Sequence, residues 1–347
     1  MKNLKLAAVC LSCLTMTGCS ALNFSVEGLI NAPKLTSEQS EIHQALIESV
    51  GSNITLKYPK NGEYRSAYVI ANIDDEPTDE AMVFYEYTSN GSEEDGLRVN
   101  ILDKDEDGKW YSVKELAGAG TDIDQVIISP MGSNNQTDVF VGYQNLTNDE
   151  KTMEIYSYTD GDFKRVALDT YSVLEPLDIN NDGYIELITI QRSTNNDTGA
   201  VTAKASMLNM KNNEITRGEN VDMCDNVTSY VSSKTGMLDS GRRAIFIDGL
   251  TADGKLQTEI IYYRYSGLQN PMQLRSEKLL PLCTRPAGYY SEDMDGDGDV
   301  EIPSTSPMVG YENAVADEML YMTTWSVYED FYDLKTQAIM PYLTDIL

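Results

Sequence analysis

The sequence predicts an all-β protein: a β-propeller of five to seven four-stranded blades with a short N-terminal helix. Three observations carry that reading. Apolar, strand-like runs follow polar anchors at Glu80, Asp138, Glu186, Arg243 and Glu301, spaced by 58, 48, 57 and 58 residues. Around each anchor the same order of four strand-like segments recurs. At Glu186 and Glu301 the anchor also closes an acidic nine-residue turn, "DINNDGYIE" and "DMDGDGDVE". A four-stranded sheet cannot bury both of its faces alone, so repeats of about 50–60 residues must stack on one another, as propeller blades do. A tandem array of small β-sandwiches is the weaker alternative, because each unit is short for a sandwich.

The chain opens "MKNLKLAAVCLSCLTMTGC". Lys2 and Lys5 form a positive start, and Leu6 to Thr17 is a short, mostly apolar run. Residues 1–18 therefore read as a secretory signal, too short for a membrane-spanning helix. The segment resembles a bacterial lipoprotein signal, which implies lipidation of Cys19 and a membrane anchor of two acyl chains. Residues 19–51 are then the lipidated cysteine, a tether and one helix. In "TSEQSEIHQALIESVG" Thr36 and Gln39 have capping-box spacing, Ile42, Leu46 and Val50 share a face, and Gly51 stops the helix.

Residues 52–347 hold the repeats, with no Pro/Ser/Gly-rich linker dividing them. The first strands expected are "AYVIANI", "DQVIIS", "YSVLEPL", "VTSYVSS" and "AGYYSED". A second strand follows each anchor. The third strands are "LRVNIL", "TMEIYSY", "VTAKASML", "TEIIYYRY" and "LYMTTWSVY". The fourth are "WYSVKEL", "FKRVAL", "NEITRG", "MQLRSEKL" and "FYDLKTQ", reached through turns such as "TDGD" and "KNNE". A further strand at Ile54 to Tyr58 completes another blade or closes the ring.

The two acidic turns are not EF-hands. An EF-hand needs a glutamate at position 12 and an exiting helix; here position 12 is Thr189 or Ser304, and "LITIQ" after Glu186 favours a strand. The pattern D-x-[DN]-x-D-G-x-x-E followed by a strand resembles the FG-GAP/VCBS repeats of integrin-α-like propellers and bacterial surface lipoproteins. That resemblance covers residues 52 to the C-terminus and implies calcium held between the first two strands of a blade, for structure. The residues agree with it, since Ca²⁺ takes six to eight hard oxygens and glycine permits the sharp turn. The expected ligands are Asp178, Asn180, Asp182, the Tyr184 carbonyl and Glu186, and Asp293, Asp295, Asp297, the Asp299 carbonyl and Glu301. The second set has more carboxylates and should depend more on metal. In the first unit Asn72, Asp74, Glu76 and Glu80 keep part of the pattern, with Pro77 where glycine is expected. The second and fourth units have lost it. "DKDEDGKWY" at 103–111 imitates it but ends in Tyr111, and reads as a hairpin turn.

With 55 acidic against 26 basic residues the net charge is −29, and loss of residues 1–18 would make it two units more negative. Such acidity argues against nucleic acid and against anionic headgroups. Cys224 and Cys283 would remain beside Cys19, as a disulfide or as buried thiols. The single histidine, His43, lies in the helix, which excludes Ser–His–Asp, Cys–His and His-based zinc chemistry within the repeats. No phosphate-cradling or dinucleotide motif is present. Trp110 and Trp325 read as core; the tyrosines at 260–265 and 288–290 are core or a patch for sugar or protein. The expectation is a lipid-anchored extracytoplasmic binding or scaffold module with structural calcium, more a binder than an enzyme, its ligand an unknown protein or carbohydrate. A carbohydrate-active hydrolase or lyase and a purely structural envelope protein are the alternatives. Two carboxylates in a central pocket, one with a strongly raised pKa, would favour the enzyme.

Overall fold

The computed structural model describes residues 35–74, 76–88, 96–130, 137–145, 150–159, 161–195, 197–211, 214–274, 276–315, 318–329, 333–336 and 343–344. The segment expected to be a signal at 1–18, Cys19 and most of the expected tether lie outside the described residues. The chain divides into a leading unit, 1–44, and a main unit, 45–347. Helix α1 (Ser37–Val50) begins where the sequence predicts. The Gln39 N–H donates to Thr36 Oγ1 and the Thr36 N–H to Gln39 Oε1, each at 3.1 Å, a reciprocal cap. Gly51 follows with φ 86°, the left-handed conformation that ends helices. No described helix is long and apolar enough to cross a membrane.

The main unit is an all-β propeller built of five antiparallel sheets among the described residues. In the first, β1 (Ile54–Leu56) and β2 (Tyr68–Ala71) share one edge of β3 (Glu80–Tyr87), and β4 (Leu97–Lys104) and β5 (Trp110–Ala117) follow. The early strand at Ile54 thus joins the first blade. The second blade is β6 (Asp122–Pro130), β7 (Thr137–Gln144), β8 (Lys151–Thr159) and β9 (Asp162–Tyr171). The third is β10 (Val173–Leu177), β11 (Glu186–Thr194), β12 (Val201–Lys211) and β13 (Glu214–Asp222). The fourth is β14 (Val227–Met237), β15 (Arg243–Thr251) and β16 (Lys255–Arg264), with β17 (Gly267–Gln269) and β18 (Thr284–Pro286) on the same edge of β16. The fifth is β19 (Ile302–Pro307), β20 (Tyr321–Glu329), β21 (Asp333–Thr336) and β22 (Leu343–Thr344).

Alternation within the middle strands explains the stacking. Val139 and Val141 of β7 pack with Phe84 and Val99 of the first blade, whereas Phe140 packs with Leu187 and Leu208 of the third. Ile188 and Ile190 turn to Ile245 and Ile247 of the fourth blade; Ala244 and Phe246 turn to Ile302 and Tyr328 of the fifth. Each central strand is buried on both faces, so a period-2 pattern fixes two interfaces at once. Trp110 and Trp325 are buried, as expected of core residues.

Two segments depart from the sequence reading. "MQLRSEKL" is not a strand: helices α2 (Pro271–Leu274) and α3 (Ser276–Cys283) interrupt the fourth-blade edge. Pro271 is favoured at the first helical position, and Asn270 Oδ1 accepts the Met272 N–H at 3.0 Å as an N-cap. "AGYYSED" keeps only the Glu292–Glu301 bridge. Its backbone is held by side chains instead. The buried Arg285 donates to the Tyr289 carbonyl at 2.6 Å, and the Ser291 N–H donates to Asp248 at 2.7 Å. Cys224 and Cys283 are buried free thiols.

Candidate functional site

Three acidic loops precede β3, β11 and β19, and they share one hydrogen-bond frame. The last acid of each loop, Glu80, Glu186 or Glu301, accepts through Oε2 the N–H of Ile73, Ile179 or Met294 at 2.8, 3.1 and 2.9 Å. The N–H groups of Glu76, Asp182 and Asp297 donate to the side chains of Asp74, Asn180 and Asp295. Gly183 and Gly298 take φ 93° and 95°, conformations that a side chain would strain.

The loops differ in what faces the second oxygen of that acid. In the loop of residues 293–301, oxygens of Asp293, Asp295 and Asp297 lie within 4.8 Å of one another. Glu301 is fully buried there, and its Oε1 has no hydrogen-bond partner. An unmet buried oxygen costs about 1–3 kcal/mol, and a hard cation would satisfy it. Burial, then Asp295, Asp297 and Asp293, push the Glu301 pKa up. Burial and Asp297 do the same to Asp299, whose backbone bridges Met237 of β14. This donor set fits calcium.

The loop of residues 178–186 meets its own needs. The Asn180 amide donates to Glu186 Oε1 at 2.9 Å and to Asp182 at 3.0 Å. Arg243 Nη1 lies 3.1 Å from Asp178 Oδ2 and donates to the Asp178 carbonyl at 3.2 Å. Arg243 is the fourth unit's counterpart of the metal-loop acid, so one blade's lost ligand supplies a cation to its neighbour. Glu186 is pushed up to about 7 by burial and by Asp182 and Asp178. The Tyr184 side chain is exposed. Calcium fits here only in place of the Asn180 donor and the Arg243 guanidinium.

A second feature was not visible in the sequence. The first strands of blades two, three and four, β6, β10 and β14, together with residues 61–64, line a cavity of about 960 Å³. A neighbouring cavity of about 810 Å³ shares Lys151, Ser172 and Tyr230 with it. At its wall the buried Asp124 receives Asn61 Nδ2 at 2.8 Å, the Tyr171 hydroxyl at 2.6 Å and the Lys151 ammonium at 2.9 Å. Gly142 makes this possible, because a Cβ there would stand 2.0 Å from the Tyr171 hydroxyl oxygen. Burial raises the Asp124 pKa, but Lys151, Tyr171 and Asn61 outweigh it and the net shift is downward. Glu175, in the same cavity, accepts from Ser233 and is pushed up by burial. Gln125 donates to the Leu174 carbonyl at 2.8 Å and ties β6 to β10. The Tyr230 hydroxyl is buried without a partner. These residues come from distant parts of the chain, and no local motif announces them.

No protein-family model and no curated protein matches the chain, so the FG-GAP/VCBS likeness rests on the loop residues. Among solved structures, the chain is similar to a Bacteroides fragilis protein described as a candidate 6-phosphogluconolactonase (11% identity, 85% of this chain and 82% of that one, TM-score 0.35). It is similar also to the periplasmic gluconolactonase of Pseudomonas aeruginosa (10% identity, 82% and 88%, TM-score 0.29) and to a glycoside hydrolase (8% identity, 87% and 94%, TM-score 0.27). At these values the function has to be argued from the chain's own residues.

Proposed function

We propose that this propeller, anchored outside the cytoplasm by lipid on Cys19, binds a small hydroxylated ligand of the carbohydrate class in its inter-blade cavity and uses calcium to hold its loops. The observation that carries the reading is the lining of the cavity. Hydroxyl and amide groups of Asn61, Gln125, Ser172, Tyr230 and Ser233 alternate there, the Lys151 charge is matched by Asp124, and the Tyr230 hydroxyl lacks a partner. Paired donors and acceptors with little net charge suit a neutral polyol better than an ion or an apolar ligand. For calcium, the reading rests on the converging oxygens of the 293–301 loop; the loop at 178–186 is proposed as the weaker site, because Arg243 competes there.

Calorimetric titration of the calcium-loaded protein with neutral mono- and oligosaccharides should show saturable binding. Ser232→Trp, which puts a bulky ring at the part of the cavity lined by β14, should weaken binding about tenfold or more while the protein still unfolds cooperatively. Binding indifferent to Ser232→Trp would remove the cavity from the account, and a panel without any binder would remove the ligand class.

One observation favours a hydrolase. Asp124 is held ionised and Glu175 is pushed towards its neutral form in a single cavity, the divergence that separates a base from an acid in glycoside hydrolysis. Aryl-glycoside turnover that Glu175→Gln abolishes, with saccharide binding retained, would establish that reading over simple binding.

A further inference from the structure

We propose, resting on the saccharide reading of the first cavity, that the neighbouring cavity of about 810 Å³ binds the carboxylate of a uronate unit through the Arg192 guanidinium. The preferred ligand is then an acidic oligosaccharide. The two cavities share Lys151, Ser172 and Tyr230, so one run of sugar units can reach from one into the other. Their charges differ. At the shared wall Lys151 is matched by the buried Asp124 at 2.9 Å. That pairing leaves Arg192 and Glu150 as the opposing charges of the second cavity. Glu150 is exposed, whereas Arg192 is half-buried and makes no ion pair among the described residues.

The neighbours of Arg192 hold its fork in place. Its Nε donates to the Val227 carbonyl at 2.8 Å and its backbone N–H to Ser172 Oγ at 3.3 Å, which fixes the side chain between β11 and β14. With Nε committed, the two terminal nitrogens remain, and a planar guanidinium takes a carboxylate by two parallel hydrogen bonds. Opposite them β14 is bulged between Val227 and Ser229 and again between Tyr230 and Ser232. Bulges re-aim side chains, and here Thr228, Ser229 and Tyr230 line the cavity. The Tyr230 hydroxyl is buried without a partner. Burial, with Glu259 and Cys224, pushes its pKa up and Arg192 pulls against that, so a neutral phenol stands beside the guanidinium as a further donor.

Other arginines of the chain spend their charge on its own acids. Arg98 pairs with Glu115, Arg165 with Glu154, Arg217 with Asp169, Arg243 with Asp178 and Arg285 with Asp248. In a chain of 55 acidic and 26 basic residues, an arginine that faces a cavity without such a partner is the group that an acid of the ligand meets. With Glu150 nearby, its single charge suits a monoanionic carboxylate better than a dianionic phosphate.

The test is calorimetric titration of the calcium-loaded full chain with two matched probes. One is a β-linked glucose disaccharide; the other is the same disaccharide with the terminal hydroxymethyl group of one unit oxidised to a carboxylate. The acid should bind about tenfold or more tighter, the scale of a charge-assisted hydrogen bond, and added salt should shrink that advantage. Arg192→Gln should erase it in a protein that still unfolds cooperatively, and Glu150→Gln, at an exposed position, should widen it. Equal affinities in the wild type, or an advantage untouched by both substitutions, overturn the uronate subsite and leave saccharide binding in place. Tighter binding of glucose 6-phosphate than of glucuronate overturns the choice of a carboxylate. Absence of binding by both disaccharides removes the saccharide reading itself, and the subsite with it.

Discussion

At the scale of single residues, the two loops most alike in sequence behave differently because of one arginine and one amide. Both carry acids at positions 1, 5 and 9, yet Arg243 and Asn180 already meet the oxygens of the 178–186 loop. Arg243 is partly exposed although Asp178 is buried, and with solvent screening the arginine side, the ion pair contributes on the order of 1 kcal/mol. Arg243→Met should therefore cost little in chelator. It should also free Asp178 for calcium, so that the calcium-induced rise in melting temperature is larger than in the wild type. Equal rises in the two proteins would show that Arg243 does not compete. The ligand residues were legible in the sequence because alternate acids and glycine form a local pattern. Their partners were not. Arg243 reaches the 178–186 loop from the neighbouring blade, through the stacking of one sheet on the next, and spacing along the chain carries no trace of that.

At the scale of elements, the blades were legible wherever alternation and turn chemistry agreed. The third-blade strands match the sequence segments nearly one for one, since β10 to β13 are joined by local turns. The fourth-blade edge was not legible from the repeat, whose order predicts a strand at "MQLRSEKL" where Asn270–Pro271 starts a helix. Asn270 does more than cap. Its Nδ2 donates to Glu259 Oε2 at 2.7 Å and to the Asp222 carbonyl at 3.1 Å, while Glu259 also accepts the Cys224 N–H. Asn270→Ala removes the cap and a partner of a buried carboxylate together. The expected loss is about 2–4 kcal/mol, read as a fall in the urea midpoint. A loss below about 0.5 kcal/mol, the scale of ordinary surface changes, would show that the helical insertion is not anchored there.

At the scale of the whole molecule, the buried carboxylates pull stability in opposite directions with pH. Asp124 has a lowered pKa, so its contribution is present above the unfolded value of about 3.9 and is lost as pH falls through its folded value. Glu175 and Glu259 have raised values, chiefly from burial. Above their unfolded pKa of about 4.3 the native state holds more protons than the unfolded chain, so stability declines as pH rises towards the folded values. A chain of net charge −29 adds self-repulsion in the same direction. The stability optimum should therefore lie on the acid side of neutrality. Glu175→Gln isolates one contribution, because glutamine keeps an oxygen for the Ser233 hydroxyl and cannot ionise. Its melting temperature relative to wild type should rise steadily from about pH 4.3 upward. A difference that stays constant across that range would mean Glu175 is ionised in the folded protein throughout. The acid–base contrast within the cavity, and with it the hydrolytic reading, would then lose its support, while saccharide binding would stand or fall on its own titration.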